Sequence, residues 1–210
     1  MVIYKPLKST FVTQSFGENK PCVKVNEAGT VAQPYDFGLA TNNNVCQAGY
    51  TKLYQTFGLL GHNGYDWVAG HGTPIYYDCN LEGLVLETAI DPSGGLGVVI
   101  LTRDTDGRYY KHRYWHLKRF RVQVGDKVRM GRWLGDADST GASSGDHLHR
   151  DLKECDKDGR TINEDNGYRG AISMDIFYND SFVLDQLTRV YRLLAMFPFL
   201  RNVLYPLIWG

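Results

Sequence analysis

The 210 residues suit one domain with an appendage, and the 23 basic and 23 acidic side chains leave no formal net charge at pH 7. This balance excludes the basic footprint of a nucleic-acid-binding protein and the polybasic patch of a membrane-surface protein. Glycine is abundant and aromatic residues make up 13% of the sequence, a composition that favours a turn-rich β protein over a helical bundle.

The first predicted element is a strand over residues 11–17, where the sequence FVTQSFG alternates between apolar and polar side chains. The residues before it, MVIYKP, lack the basic segment and the roughly 7–15-residue apolar core of a secretory signal. We therefore expect no secretory signal peptide here.

Residues 18–56 lose the strand pattern, since glycine, proline and an asparagine run at 42–44 interrupt it. The segment is longer than the connections usual inside compact domains, so we interpret it as an insertion that is functional or partly structured. Two roles stay open. The insertion walls or covers a functional groove, or it is an ordered surface excursion with no role in chemistry.

The four cysteines, Cys22, Cys46, Cys79 and Cys155, contain no C-x-x-C pair. A zinc–thiolate cluster or a redox motif is therefore not expected. We predict free, partly buried thiols, with a Cys22–Cys46 bridge across the insertion as the disulfide alternative.

Short strands follow, rich in β-branched and aromatic residues and separated by turn signals. They are predicted at residues 73–77, 83–88, 97–103 and 109–117, with Asp106 and Gly107 forming a hairpin turn between the last two. Antiparallel strands without intervening helices indicate a mainly β fold, an antiparallel β-sheet or sandwich. Strict alternation would put His112, Tyr114 and His116 on one face of the last strand, with His112 at the rim of any site that His116 joins.

The C-terminal segment, residues 179–210, changes character. Residues 179–181 form a predicted N-cap, and apolar residues at 183, 187, 190, 194 and 197 have the spacing of an amphipathic helix that Pro198 ends. Charged residues and prolines exclude a transmembrane span. We expect the helix and apolar tail to pack on the preceding domain, residues 1–178. The alternatives are a protein partner, a homo-oligomer or an interfacial membrane contact.

Candidate metal ligands stand in two groups. His147 and His149 point to the same side of an extended strand, about 6.5–7 Å apart. Upstream, three residues separate His62 from Asp66, and His116 lies between the two groups. A hydrolytic zinc site keeps three protein ligands, so His62, Asp66 and one of the paired histidines make a suitable set.

Four motifs in this order resemble those of the lysostaphin-type zinc endopeptidases, which cut peptidoglycan cross-bridges. They are H-x-x-x-D at 62–66, Y-x-H-L at 114–117, G-D-x-V-x-x-G at 125–131 and T-G-x-S-x-G-x-H-L-H at 140–149. The resemblance covers about residues 62–152 and implies a β-sheet catalytic core.

The resemblance implies that Zn²⁺ is bound by His62, Asp66 and His149, leaving His116 and His147 unligated beside the zinc-bound water. One of the unligated pair would take the proton of the water and deliver it to the leaving amine, while the other stabilises the oxyanion. The assignment of the base between them stays open.

Further residues near these motifs have two interpretations each. Asp151 either accepts a ring N–H from a ligand histidine or is a solvated surface carboxylate. Tyr114 either orients a substrate carbonyl or packs. Asp146 and Arg150 stand where the family more often has a proline and an aromatic residue, a difference that bears on substrate preference rather than on metal binding.

The expected function is zinc-dependent hydrolysis of peptide bonds in the cross-bridges or stem peptides of bacterial peptidoglycan. The protein would act at the cell wall, carried by a phage particle or released by lysis as an endolysin. The alternatives are a structural or regulatory protein that keeps the fold, such as a virion component or an amidase activator, and a zinc amidase or carboxypeptidase acting on another wall bond.

Overall fold

The computed structural model describes residues 1–8, 11–17, 54 and 56–183, together with the backbone of residues 23–25 and 31–34. These residues form fourteen strands and one 3-10 helix, at Asp175–Phe177. The strands are β1 (Ile3–Lys5), β2 (Val12–Gln14), β3 (Val23–Val25), β4 (Val31–Pro34), β5 (Tyr65–Val68), β6 (Pro74–Tyr76), β7 (Gly83–Asp91), β8 (Gly95–Arg103), β9 (Tyr109–Phe120), β10 (Lys127–Val128), β11 (Trp133–Ala137), β12 (His147–Cys155), β13 (Ala171–Ile172) and β14 (Tyr178–Phe182). The predicted mainly β, antiparallel fold is confirmed.

Ten of the strands form one antiparallel sheet. Its main path runs in the order β10-β7-β8-β9-β12-β5-β2, and β6, β11 and β13 attach at the side. β1 pairs with β14 in parallel, and β3 pairs with β4. The central neighbours β9 and β12 pair over seven consecutive residues of β12, from His149 to Cys155.

Part of the predicted C-terminal segment is a strand. Residues 179–181 lie within β14, so the N-cap predicted there is wrong. The predicted helix beyond Val183 and the apolar tail lie outside the described residues, as do most of the 18–56 insertion and the Cys22–Cys46 bridge. Cys79 and Cys155 are buried free thiols, as expected. Among the described residues, no helix is long and apolar enough to cross a bilayer.

An unusual feature of the core is a fully buried arginine. Arg150 lies between the apolar Leu148 and Leu152 on the core face of β12. Its Nε and Nη2 donate to both carboxylate oxygens of Asp78 at 3.1 Å, and its guanidinium lies 4.5 Å from the centre of the Tyr114 ring. The buried charge is therefore paired and hydrogen-bonded, which is the condition for keeping it inside a protein.

His112 belongs to the same buried network. Its Nδ1 accepts from Arg150 Nη2 at 2.7 Å, and its Nε2 bonds the hydroxyl of Thr102 at 2.9 Å. Burial, and then the charge of Arg150, lowers its pKa well below the ordinary value, so the ring is neutral. The prediction of a rim position is wrong, because His112 is 0% exposed and faces the core. Arg150 is also 0% exposed, so it cannot contact a substrate in the way its predicted influence on substrate preference would require.

Replacing Arg150 by methionine is expected to lower the free energy of unfolding by about 3–5 kcal/mol, because Asp78 then stays buried without its cationic partner. Urea denaturation followed by circular dichroism measures the change. The control is Lys157→Met, since Lys157 is exposed, and its effect should stay within about 0.5 kcal/mol. Equal stability of the two variants would contradict the role given to the buried ion pair.

Candidate metal centre and catalytic cleft

Three predicted metal ligands meet where β5 pairs with β12. His149 lies opposite Asp66 in the antiparallel register, and His62 lies in the loop that enters β5. Asp66 Oδ1 is 2.9 Å from His149 Nδ1 and 3.2 Å from His62 Nε2, and these two nitrogens are 3.0 Å apart. Ligands held tetrahedrally at about 2.0–2.1 Å from zinc lie roughly 3.3 Å from one another, so the spacing fits a zinc ion.

A glycine lets the loop that carries His62 pass close to β12. A Cβ atom at Gly64 would lie 2.7 Å from ring atoms of His149 and from the carbonyl oxygen of Arg150. Side-chain carbons do not approach other heavy atoms so closely. Any larger residue at position 64 would therefore push the loop that carries His62 away from His149.

The protein also orients the imidazoles of the two histidines that are predicted to bind the metal. His62 Nδ1 donates to the carbonyl of Ser15 at 3.2 Å, which leaves the lone pair of Nε2 facing Asp66. His149 Nε2 faces Asp151, 3.6 Å from its Oδ2, so Nδ1 faces the other ligands. Two imidazole lone pairs and a carboxylate oxygen then converge. Since a cation relieves their mutual repulsion, this donor set fits zinc.

Proton binding in the cluster is strongly perturbed. Burial favours the neutral form of Asp66, but hydrogen bonds from His149 and His62 outweigh burial and place its pKa well below the usual range. Burial also lowers the pKa of His149, yet the carboxylates of Asp151 and Asp66 outweigh this and raise the pKa to about 9. A proton and a metal ion therefore compete for His149.

His116 reaches the cleft through a β-bulge. The β8–β9 register shifts so that Gly97 alone lies opposite two residues, Trp115 and His116. His116 has a φ of 62°, which costs a non-glycine residue about 1–2 kcal/mol. Its Nδ1 donates to the carbonyl of Thr140 at 2.7 Å, and burial lowers its pKa to about 4. The ring is therefore neutral at pH 7, with Nε2 free to accept a proton.

The bulge reverses the face prediction for the residues before it. Arg113 and Trp115 line the cleft with His116, whereas Tyr114 faces the core. Tyr114 is 0% exposed and its hydroxyl donates to Asp78, so it packs. The substrate-contact alternative for Tyr114 does not fit this position.

His147 completes the group beside the predicted ligands. Its Nδ1 lies 2.8 Å from the carbonyl oxygen of Gly145, and its Nε2 lies 3.7 Å from Asp66 Oδ1. Its ring centre is 4.5 Å from that of His116. The structure therefore brings all five predicted histidine and aspartate residues together around one cleft.

Asp151 lies behind His149 on the same face of β12. It is 1% exposed, so the alternative of a solvated surface carboxylate is wrong. Its oxygens are 3.6 Å from His149 Nε2 and 3.4 Å from Arg113 Nε, which are ion-pair separations rather than hydrogen bonds. Burial favours its neutral form, but the charge of Arg113, then His149, holds its pKa far below the usual range. The carboxylate is thus available to hold the His149 ring.

The cleft has a volume of about 350 Å³ and extends beyond the predicted residues. Its lining adds polar and aromatic side chains that the motifs do not contain: Gln14, Tyr54, Phe57, Asn63, Asp91, Arg113, Trp115, Lys153 and Arg169. Lys153 was detectable in the sequence, because it shares the alternating face of His149 and Asp151. Arg113 and Trp115 were not, because the bulge had no clear sequence signal.

Known proteins resemble the chain over the region of the cleft. Residues 60–164 match the model of Peptidase family M23. The chain is 38% identical over 91 residues to the peptidoglycan DD-endopeptidase ShyA of Vibrio cholerae, covering 43% of this chain and 20% of that protein. It is 30% identical over 146 residues to the glycyl-glycine endopeptidase ALE-1 of Staphylococcus capitis, covering 68% of this chain and 34% of that protein.

A structural similarity accompanies the sequence matches. The crystal structure of a zinc-containing peptidase from Vibrio cholerae superposes with a TM-score of 0.50 at 22% identity, covering 77% of this chain and 39% of that one. This similarity concerns the fold. The chain spans about a fifth to a third of the length of the two curated relatives.

His62→Ala is expected to abolish zinc retention, because it removes one of three converging donors. His147→Ala should keep stoichiometric zinc, because its Nε2 lies outside this set. Atomic absorption on protein dialysed against zinc-free buffer measures both. Stoichiometric zinc in His62→Ala would contradict the ligand assignment.

Zinc affinity is expected to fall as the pH is lowered from 8 to 6. The proton on His149, with a pKa of about 9, must leave before zinc binds, so affinity should fall about tenfold per pH unit for each proton released. Competition with a chromogenic chelator of known pH dependence gives the affinity at each pH. A constant affinity over this range would argue against His149 as a ligand.

Proposed function

Because the chain belongs to Peptidase family M23, we propose that it is a zinc-dependent endopeptidase that hydrolyses peptide bonds in bacterial peptidoglycan. The observation that carries the proposal is the convergence of His62, Asp66 and His149 beside the unligated pair of His116 and His147. The matches to two peptidoglycan endopeptidases support the substrate class.

Hydrolysis of a peptide bond requires a nucleophile at neutral pH, polarisation of the carbonyl and a proton for the leaving amine. When bound by the three ligands, zinc supplies the first two by activating water and acting as a Lewis acid. The chain itself must supply the proton transfer and hold the peptide.

We assign proton transfer to His116 and His147. Each donates from Nδ1 toward a backbone carbonyl, of Thr140 and Gly145 respectively, and so keeps Nε2 as a proton acceptor. The ring that takes up the proton becomes an imidazolium, which can return the proton to the amine. Its neighbour lies within 4.5 Å between ring centres, close enough to act on the same substrate carbonyl.

Asp151 and Ser15 are proposed to hold the ligand histidines in position. The carbonyl of Ser15 takes the His62 Nδ1 proton, and the Asp151 carboxylate faces His149 Nε2. Such supporting groups set the ring orientation and the basicity of a metal ligand.

A structural or regulatory role without catalysis would not require this geometry. In the part of the chain that the structure describes, the three ligand atoms and both accepting imidazoles stay within one cleft, which favours the enzyme. A zinc amidase or carboxypeptidase would use similar chemistry on another bond, so product masses must separate these alternatives. Delivery by a phage particle or by lysis stays a prediction.

Amino-group release from purified peptidoglycans of several cross-bridge types tests the proposal. Release should stop with a chelator and return with zinc, and His147→Ala should be slower by about 10²–10⁴-fold while it keeps zinc. His71→Ala is the matched control, because His71 is an exposed histidine outside the cleft lining. Fragment masses then identify the bond cut.

Each failure has a distinct meaning. No release from any peptidoglycan by the zinc-loaded protein would overturn the endopeptidase proposal. Release that a chelator leaves unchanged would contradict the zinc requirement. Masses showing loss of a terminal amino acid, or separation of glycan from peptide, would identify a carboxypeptidase or an amidase.

A further inference from the structure

One end of the cleft is rich in cations that the hydrolytic reaction does not use. Arg113, Lys153 and Arg169 all line the cleft. Arg113 lies opposite Asp151 in the β9–β12 pair, and Lys153 follows Asp151 by two residues on the same face of β12. This end therefore continues directly from the proposed metal ligand His149.

Lys153 is the most unusual of these cations. It is only 6% exposed, and it lines the cleft. Within the described ranges its ammonium has no ion pair or side-chain hydrogen bond, although buried ammonium groups normally have a partner. Burial, and then repulsion from Arg113, lowers its pKa to about 8. Asp151 and Glu164 attract the ammonium only from beyond ion-pair distance, so it has no direct counter-ion among the described residues.

The carboxylates of the cleft are already engaged. The two carboxylates that line it among the described residues are Asp66 and Asp91, and Asp66 belongs to the proposed metal centre. Asp91 accepts hydrogen bonds from the backbone N–H groups of Ser93 and Gly94 and from the Ser93 hydroxyl. Neither forms an ion pair with Lys153 or Arg169 in the described part of the protein.

Other donors at this end also lack a hydrogen bond, although Arg113 Nε lies 3.4 Å from Asp151 Oδ1. The Nε of Arg113 and the indole Nε1 of Trp115 are buried without a hydrogen bond among the described residues. The Arg113 guanidinium stacks over the Trp115 ring at 4.8 Å from its centre, which holds both side chains at the cleft wall. Arg169 has a φ of 52°, a backbone conformation that a non-glycine residue seldom adopts without cause.

From this arrangement we propose that Lys153, together with Arg113 and Arg169, binds a free carboxylate of the peptide substrate. The proposal rests on the endopeptidase function above and narrows its substrate class. The Cα of Lys153 lies about 13 Å along β12 from that of His149, a span of roughly four residues of extended peptide. The preferred substrate then carries a carboxylate within about four residues of the scissile bond, as a stem peptide with a diamino acid does, rather than a neutral glycine bridge.

The test uses two synthetic cross-linked stem-peptide dimers of one sequence. One has free carboxylates on its diamino acid and glutamate residues, and the other has carboxamides at the same positions. Wild-type protein should cleave the free-carboxylate dimer with a kcat/KM roughly 10–100-fold higher, mainly through KM, because a charge-assisted contact is lost in the amide. Lys153→Met should remove this preference, so that the two dimers are cleaved with similar kcat/KM.

Two further variants complete this experiment, one as a second test of the site and one as a control. Arg169 is exposed, so Arg169→Gln is expected to fold and can be tested even if Lys153→Met does not fold. It should reduce the preference for the free-carboxylate dimer by about two- to fivefold. Lys157→Met removes an exposed lysine outside the cleft lining and should leave the preference intact. Equal cleavage of both dimers by wild-type protein would overturn the carboxylate proposal while leaving the endopeptidase function in place.

Binding separates this proposal from the proposed function. Calorimetry of both dimers with zinc-loaded His147→Ala measures affinity without turnover. We expect the free-carboxylate dimer to bind more tightly than the carboxamide dimer. Adding Lys153→Met should abolish this difference in affinity, and adding Arg169→Gln should reduce it. This result would support the carboxylate site even if no peptidoglycan is cut. Equal affinities would overturn the site, whatever the activity of the wild-type protein.

Discussion

The strict alternation of side chains along β12 is the constraint on which the rest of the structure depends. His147, His149, Asp151 and Lys153 face the cleft, while the residues between them face the core. The proposed metal ligand His149 is thus next to the buried Arg150, whose carboxylate partner and stacked tyrosine hold the strand from its core face. A shift of β12 by one residue would exchange the two faces completely, burying the histidines and exposing the leucines. The packing of the core and the geometry of the site therefore depend on the same register of β12.

The second constraint is the β-bulge in the neighbouring strand β9, which interrupts the alternation of side chains there. Without the bulge, His116 would follow His112 and Tyr114 into the core, and no second imidazole would stand beside His147. The extra residue requires a positive φ at His116, and hydrogen bonds to Gly94 and Asp138 through its backbone and to Thr140 through its ring stabilise that conformation. Strain at this position and the placement of a proton acceptor have the same origin.

These two constraints explain what could be predicted from the sequence. Regular alternation was sufficient to predict that His147 and His149 share one face of a strand, and turn signals between short strands were sufficient to predict the mainly β fold, because both follow from local geometry. The choice of His149 as the third ligand came from the resemblance to the lysostaphin-type family and stays a prediction. The prediction for His112 failed because a bulge depends on the register of two strands, which one sequence does not reveal. Arg150 was misinterpreted because its partner, Asp78, is distant in the chain. The N-cap at 179–181 failed because pairing with β1 outweighed local helix signals.

The two faces of β12 differ in how the charges of their buried side chains are compensated. On the core face, Arg150 has both carboxylate oxygens of Asp78, the carbonyl of Asp151 and His112 as partners. On the cleft face, Lys153 is nearly as buried and has no such partner among the described residues. Removing a charge from water costs several kcal/mol unless another group compensates it. Packing explains the first arrangement, because the network is complete within the protein. It does not explain the second, where Asp151 and Glu164 attract the ammonium only from beyond ion-pair distance and where we propose that a substrate carboxylate is the direct partner.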